Sequence, residues 1–324
     1  MYHIAVIGAG QLGGRHLQGL IRLDLDSKFF VVDPSSDSLK IAQSRVAEVG
    51  ISGAPERVTY HTSLNELPDI IDYAVVATAA DVRLSVLQVL LSGRSVRNVL
   101  LEKVLFQRVG DYQIASDLLQ HTGTKAWVNC PRRAFPIYQT VRKFFEGQVL
   151  RQFEVHGGNW GLGCNSIHFL DLLGFLTDEV PRDLSTSGLD RTPIASKRAN
   201  FYEFTGSLRG QCGTAAFDIT SVPGSGMRLL VTIRSEGRTC LIDEMRGQAF
   251  FHGDALEDPW SQQFFRNPFV SEQSTVIAQD ILVNGQCALT TFADSVAYHL
   301  PLVQALGAHA AGALGIPADL CPIT

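Results

Sequence analysis

The chain has 324 residues, enough for two domains of ordinary size. Its 27 basic and 32 acidic residues leave a net charge of −5, which excludes the broad basic surface of a nucleic-acid binder. With 45% hydrophobic and 18% charged residues it can bury a core, and no apolar run reaches the roughly 18 residues that span a bilayer.

In chain order, residues 2–8 form a short apolar run that predicts a strand, followed by a glycine-rich turn. Residues 11–23 carry Leu12, Leu17, Leu20 and Ile21 at helical spacing. Residues 29–33 read as a buried strand ending in an acid, 38–49 as a helix and 70–77 as another apolar strand. Asp81 is placed to cap a helix running to about residue 91. Residues 99–103 predict a strand, 111–120 a helix and 125–129 a strand. Apolar strands alternating with helices predict a doubly wound parallel sheet covered on both faces.

The pattern changes near residue 130. Helices are expected over 137–145 and 164–176, with an extended stretch at 152–156 between them. Segments 184–190, 200–208, 211–220, 228–235 and 238–251 read as strands separated by Gly- and Pro-containing turns. Residues 253–273, with Gly253, Asp254, Asp258 and Pro259, read as a long loop, and helices follow near 274–283 and 291–311. The expected fold class is α/β. A doubly wound domain over 1–124 precedes an α+β domain over 125–324, whose sheet is mostly antiparallel. Cys130, Cys164, Cys212, Cys240, Cys287 and Cys321 form no Cys-x-x-Cys pair. They read as reduced thiols of a cytoplasmic protein, with no disulfide framework and no metal site. Residues 1–7 have neither the basic nor the long apolar region of a signal peptide.

Gly8-Ala9-Gly10-Gln11-Leu12-Gly13 is a G-x-G-x-x-G directly between a predicted strand and helix. Gly8 permits the tight turn, Gly10 lets a pyrophosphate approach the backbone, and Gly13 lets helix and strand pack closely. The N–H groups of the helix start, at Gln11 and Leu12, suit an anion. Asp33 stands twenty residues past Gly13 at a strand end, where a carboxylate accepts from ribose hydroxyls and repels a 2′-phosphate. Pro34, Ser35 and Ser36 follow rather than an arginine, so NAD is favoured over NADP. The plainer readings are a glycine turn without a ligand, and Asp33 as a helix cap near Ser35.

Glu102 and Lys103 end an apolar strand, where parallel α/β sheets bind ligands. Adjacent strand residues face opposite sides, so the two do not simply pair; a solvated strand end is the alternative. Farther on, Asn165, His168 and Asp171 fall at i, i+3 and i+6 of a helix, with Cys164 four residues before His168. The imidazole is either an acid/base group oriented by Asp171 or a structural histidine bonded to it. In residues 157–161 the glycines form a substrate loop or a plain turn, and Trp160 either stacks on a ring or is a partly buried aromatic.

These residues resemble the Gfo/Idh/MocA (glucose-fructose oxidoreductase, inositol dehydrogenase) family along the whole chain. Arg15-His16 follows the glycine turn, and Ala77-Thr78 resembles the family's Ala-Thr-Pro. Glu102-Lys103 resembles its Glu-Lys-Pro, Pro131-Arg132-Arg133 with Pro136 its Asn-Arg-Arg-Phe-x-Pro, and His168-x-x-Asp171 its His-x-x-Asp.

The resemblance implies a dinucleotide-binding Rossmann domain followed by a substrate domain with an open, mostly antiparallel sheet, and the activity of an NAD(P)-dependent oxidoreductase. It would move a hydride between a nicotinamide and a hydroxyl-bearing carbon of a sugar, sugar derivative or polyol. It makes Lys103 the active-site lysine and His168 the acid/base, with Asp171 beside it. Thr78 and Glu102 join the cofactor site, and Asn165, Arg133 and Trp160 the substrate site. It also implies a homodimer or homotetramer built through the second domain's sheet; the acidic net charge and the lack of a long apolar run already argue against a nucleic-acid or membrane partner. The chain departs from the family at Ala79, Arg83, Val104 and Pro131, and most seriously at Cys164, where an aspartate is usual. A thiol with an ordinary pKa of about 8.5 supplies no fixed negative charge. A cofactor-binding protein without turnover is therefore the rival reading, and a lyase or hydrolase using transient oxidation a third. No G-x-x-x-x-G-K-[ST] or G-x-S-x-G is present to support phosphoryl transfer or a serine hydrolase.

Overall fold

The computed structural model describes residues 1–253, 257 and 259–324. Two compact units emerge. The first comprises Met1–Phe106, Gly110–Asn129 and Pro268–Ala293, the second Gln107–Val109, Cys130–Asn267 and Asp294–Thr324. A single cut after residue 124 therefore differs from the observed division. The strand over 125–128 belongs to the first sheet, and a helix from late in the chain joins the first unit.

In the first unit β1 (Tyr2–Ile7), β2 (Ser27–Val32), β3 (Val58–His61), β4 (Tyr73–Val76), β5 (Asn98–Leu101) and β6 (Lys125–Val128) form one parallel sheet in the order β3-β2-β1-β4-β5-β6. Its central strands are apolar throughout because both faces are covered: Ile4, Ala5, Val6, Ala74, Val75, Val99 and Leu100 have no solvent exposure. The strand order reverses between β1 and β4, which opens a crevice beyond their carboxyl ends.

Around this sheet lie α1 (Gln11–Leu20), α2 (Ser36–Glu48), α3 (Arg83–Leu91), α4 (Val109–Thr122) and α7 (Val270–Asn284). Helix α7 packs on α1, and Thr275 Oγ1 donates to Gly19 O at 2.8 Å. The free edge of β6 is met by residues 290–291, with Val128 N donating to Thr290 O. Asp81 does not cap α3: the cap position is Val82, which makes no side-chain hydrogen bond. The expected strand over 70–77 is interrupted at Asp72, whose Oδ2 accepts from His3 N at 2.9 Å, and Ile70–Ile71 pairs instead with Ser95–Val96.

In the second unit β7 (Leu150–Gly158), β8 (Pro181–Leu189), β9 (Gly206–Cys212), β10 (Ala215–Val222), β11 (Leu230–Ser235), β12 (Thr239–Asp243), β13 (Gln248–His252) and β14 (Ser261–Phe264) form a sheet in the order β8-β9-β10-β7-β11-β12-β13-β14. Every pairing is antiparallel except β7 with β10. Strand residues alternate. Phe153, Val155, Phe217, Ile219, Val231, Ile233 and Ile242 are buried, whereas Glu154, Asp218, Thr232 and Leu241 are part-exposed on the other face. Helix α6 (Leu162–Thr177) covers β7 to β10, with α5 (Pro136–Phe144) and α8 (Phe292–Leu314) completing the unit.

Two sequence expectations change here. The strand over 238–251 is two strands, β12 and β13, joined by a turn that puts Gly247 at φ +63°. The loop over 253–273 contains β14 and the first turn of α7, while Asp254 and Asp258 lie outside the described residues. None of the six cysteines is joined in a disulfide. Among the described residues no helix is long and apolar enough to cross a membrane.

The short helical turn Pro131–Ala134 carries two arginines that are neutralised inside the second unit. Arg132 meets Glu244 through two hydrogen bonds of 2.9 Å, Tyr138 OH donates to Glu244 Oε1 at 2.6 Å, and the guanidinium lies 4.2 Å over the Phe169 ring. Removing one member of such a pair leaves a buried charge alone. Arg132→Ala should therefore cost about 3–5 kcal/mol in urea unfolding, and the double replacement Arg132→Met with Glu244→Leu should recover part of it.

Candidate functional site

The glycine turn leaves β1 at Gly8, whose φ of +90° favours glycine. A Cβ on Gly13 would lie 1.7 Å from Gly8 O, so helix and turn pack backbone to backbone. Gly10 differs. Its φ of −63° and ψ of −166° suit any residue, and a Cβ there would meet nothing within 4 Å. Neither conformation nor packing requires glycine at this position, which leaves room for an atom group to approach the backbone. Gly10 caps α1 without a side-chain bond, and no acid occupies the first turn, so the N–H groups of Gln11, Leu12 and Gly13 are offered to an anion. Just past β4 lies Thr78, whose backbone N would be 3.1 Å from a Cβ on Gly8. Its buried Oγ1 has no partner among the described residues. These features fit a dinucleotide pyrophosphate.

Asp33 holds this turn. Its Oδ2 accepts from Ala9 N at 2.7 Å and its Oδ1 from Ser35 N at 2.8 Å, and each oxygen keeps a further lone pair for a ribose hydroxyl. The cap of α2 is Ser35, whose Oγ accepts from Ser38 N, rather than Asp33. Sequence reading missed Arg45, which reaches from α2 to donate to Gln11 O at 3.1 Å and to the Gln11 side chain. No spacing rule marks that arginine.

At the end of β5, Glu102 is 3% exposed and Lys103 half-buried, as opposed orientations require. Glu102 Oε1 accepts from His16 Nε2 at 2.8 Å and from Asn129 Nδ2 at 2.6 Å. Burial alone pushes this carboxyl up, but the bonds from His16 and Asn129 and the charges of His16 and Lys103 outweigh it and hold it below the ordinary range. The Lys103–Val104 peptide bond is cis. Arg83, fully buried, donates to Leu105 O at 2.7 Å and to Val104 O and Thr78 O, tying the segment after Lys103 to the end of β4.

In the second unit Cys164, Asn165 and His168 form a half-exposed stripe on α6, whose neighbours Ser166, Ile167, Phe169 and Leu170 are buried. Asp171, expected beside His168, is fully buried, and its Oδ1 accepts from Arg133 Nε at 2.8 Å. Arg133 is thereby held in the fold, 5.5 Å over Phe175. Asn165 Nδ2 donates to Trp160 O, and Trp160 is anchored by its Nε1 on Thr220 O and packs edge-on against Phe169.

A carboxylate does stand at this helix start. Glu203 accepts from Gly163 N at 2.7 Å and from Cys164 N at 3.3 Å. It lies 39 residues beyond Cys164, too far for any local pattern to reveal. Among the described residues no cluster of three or more His, Cys, Asp or Glu is arranged to hold a metal ion.

No family model matches the sequence, and no curated protein matches it. Solved structures do. A Gfo/Idh/MocA family oxidoreductase from Vibrio cholerae matches with a TM-score of 0.68 at 17% identity, covering 94% of this chain and 96% of that one. The chain has the Gfo/Idh/MocA oxidoreductase fold. An oxidoreductase from Agrobacterium radiobacter, solved with NAD+, L-tartaric acid and magnesium, matches with a TM-score of 0.73 at 14% identity over 96% of each chain. The super-repressor mutant of Gal80p from Saccharomyces cerevisiae matches with a TM-score of 0.72 at 11% identity over 95% of this chain and 96% of that one. At these identities the likeness is one of fold.

Gly10→Ala should leave the thermal midpoint within about 2 °C of wild type, because the added methyl enters open space. Gly13→Ala should lower it by 10 °C or more or abolish folding, as circular dichroism will show. Glu102 predicts a pH effect. Its folded-state value lies below the ordinary 4.5, so its ionised form contributes stability above that pH and loses it as pH falls through the lowered value. The difference in urea-unfolding free energy between wild type and Glu102→Gln should be largest above pH 4.5 and shrink below it.

Proposed function

We propose that the chain is an NAD-dependent oxidoreductase acting on a hydroxyl-bearing carbon of a sugar, sugar derivative or polyol. The observation that carries the reading is Gly10, a glycine that its own fold does not need. It is flanked by two that the fold does need, at an uncapped helix start beside the unbonded Thr78 hydroxyl.

When bound, the nicotinamide supplies the hydride acceptor or donor. The chain's own residues do the rest. The N–H groups of Gln11, Leu12 and Gly13 hold the pyrophosphate, and Gly10 admits it. Asp33 accepts from the adenosine ribose with the lone pairs that Ala9 and Ser35 leave free, which favours NAD over NADP. Lys103 donates a hydrogen bond to the substrate oxygen and stabilises negative charge there. His168 takes the hydroxyl proton in oxidation and returns it in reduction, with Asn165 bonding a neighbouring hydroxyl. Asp171, neutralised by Arg133, holds the helix face on which His168 stands. A second copy of the chain, packed on the part-exposed sheet face around Leu230, Leu241 and Phe250, completes the proposal as a homo-oligomer.

NADH fluorescence titration of the purified chain should show saturable binding that Gly10→Ala abolishes. Over a panel of sugars, sugar acids and polyols, His168→Ala should lower turnover roughly 100- to 10,000-fold while leaving the NADH dissociation constant within about threefold. The alternative is a dinucleotide-binding regulator without turnover, which the Gal80p likeness and Cys164 favour. Tight NADH binding with no turnover across that panel would select it.

A further inference from the structure

A hydroxyl, an imidazole, a carboxylate and a carboxamide form one buried chain inside the first unit. Ser274 Oγ lies 2.7 Å from Val270 O, one turn back along α7, and 2.7 Å from His16 Nδ1 on α1. A hydroxyl has a single proton. Donated to Val270 O, it leaves Ser274 Oγ an acceptor, so Nδ1 must carry a hydrogen. The opposite assignment would set the lone pairs of Ser274 Oγ and Val270 O against each other at 2.7 Å. Across the ring, Nε2 lies 2.8 Å from Glu102 Oε1, which also takes a hydrogen from Asn129 Nδ2. A carboxylate only accepts, so Nε2 carries a hydrogen as well.

Both ring nitrogens donate, which makes the ring an imidazolium. His16 is 1% exposed and Glu102 3% exposed, so each charge is sheltered from water and compensated chiefly by the other. Among the described residues, the titratable groups that face Glu102 besides His16 include Lys103, next in the chain, and Tyr73 on β4. Burial, with Cys287 and Glu102 nearby, keeps the Tyr73 phenol protonated far above neutral pH.

We propose that His16 is a positioning residue. As an imidazolium it clamps Glu102, and with it the strand end that carries Lys103, to α1, the helix whose first turn is the glycine turn. The dinucleotide-holding turn and the lysine are then set by one ion pair rather than by two independent packings. This rests on the function proposed above.

Glu102→Gln separates the charge from the shape. The carboxamide nitrogen, in the place of Oε1, donates one hydrogen to Nε2 and the other to Asn129 Oδ1 once the Asn129 amide turns over, so the packing survives while the ring loses a proton and keeps the one on Nδ1. Nitrogen-15 NMR of the full chain should show both His16 ring nitrogens protonated at pH 8 in wild type and only Nδ1 protonated in Glu102→Gln. NADH titration should show a dissociation constant raised about tenfold in Glu102→Gln and in His16→Gln, with circular dichroism confirming that the variants are folded. A neutral His16 in the wild-type chain at pH 8 overturns the assignment, and needs no variant to fold. Unchanged NADH affinity in a folded Glu102→Gln overturns the positioning role. A wild-type chain that binds no NADH overturns that role together with the proposed function. The NMR result tells this case apart, because His16 is then still doubly protonated.

Discussion

The first unit depends on how closely α1 approaches the turn that precedes it. With Gly13 against Gly8 O, no side chain separates helix from strand, and the helix start must point over the carboxyl end of β1. Everything polar in that region follows from this approach. Asp33 reaches Ala9 N because the turn is held low over the sheet, and His16 reaches Glu102 because the helix runs close above β5's end. The same closeness on the helix's other side lets α7 dock with Thr275 on Gly19 O and Ser274 on His16.

The second unit is organised by neutralised charge. Arg132 with Glu244, and Arg133 with Asp171, are inside the fold, and each guanidinium also lies over an aromatic ring. Buried pairs of this kind add little net stability over an apolar equivalent, but losing one partner is expensive. Their value here is placement: Phe169 and Asp171 are fixed on α6, and the half-exposed stripe of Cys164, Asn165 and His168 is fixed with them.

The parallel sheet and its glycine turn were legible in the sequence because both are local signals: unbroken apolar runs of strand length, and three glycines at set spacing before a helix. The helical stripe at Asn165 and His168 was legible for the same reason. Pairing was not. Three-residue spacing places Asp171 near His168 on the helix, but nothing local shows that its carboxylate also accepts from Arg133, 38 residues away in the chain. Glu203 and Arg45 carry no local mark, since each acts on backbone groups of a distant segment. Strand β14 escaped notice because Ser261–Phe264 is exposed at every position and so shows no alternation. The membership of α7 in the first unit was hidden too, because an apolar stripe tells which side of a helix is covered but not by what.

That late helix bears on how the gene can be dissected. A fragment stopping at Asn129 would encode all six strands of the parallel sheet, yet α1 would lack the cover that residues 270–284 provide, and the imidazole of His16 would lose its hydroxyl neighbour. Synthesis on the ribosome meets the same obstacle: the nascent sheet waits with one helix flank bare until nearly nine-tenths of the polypeptide has emerged.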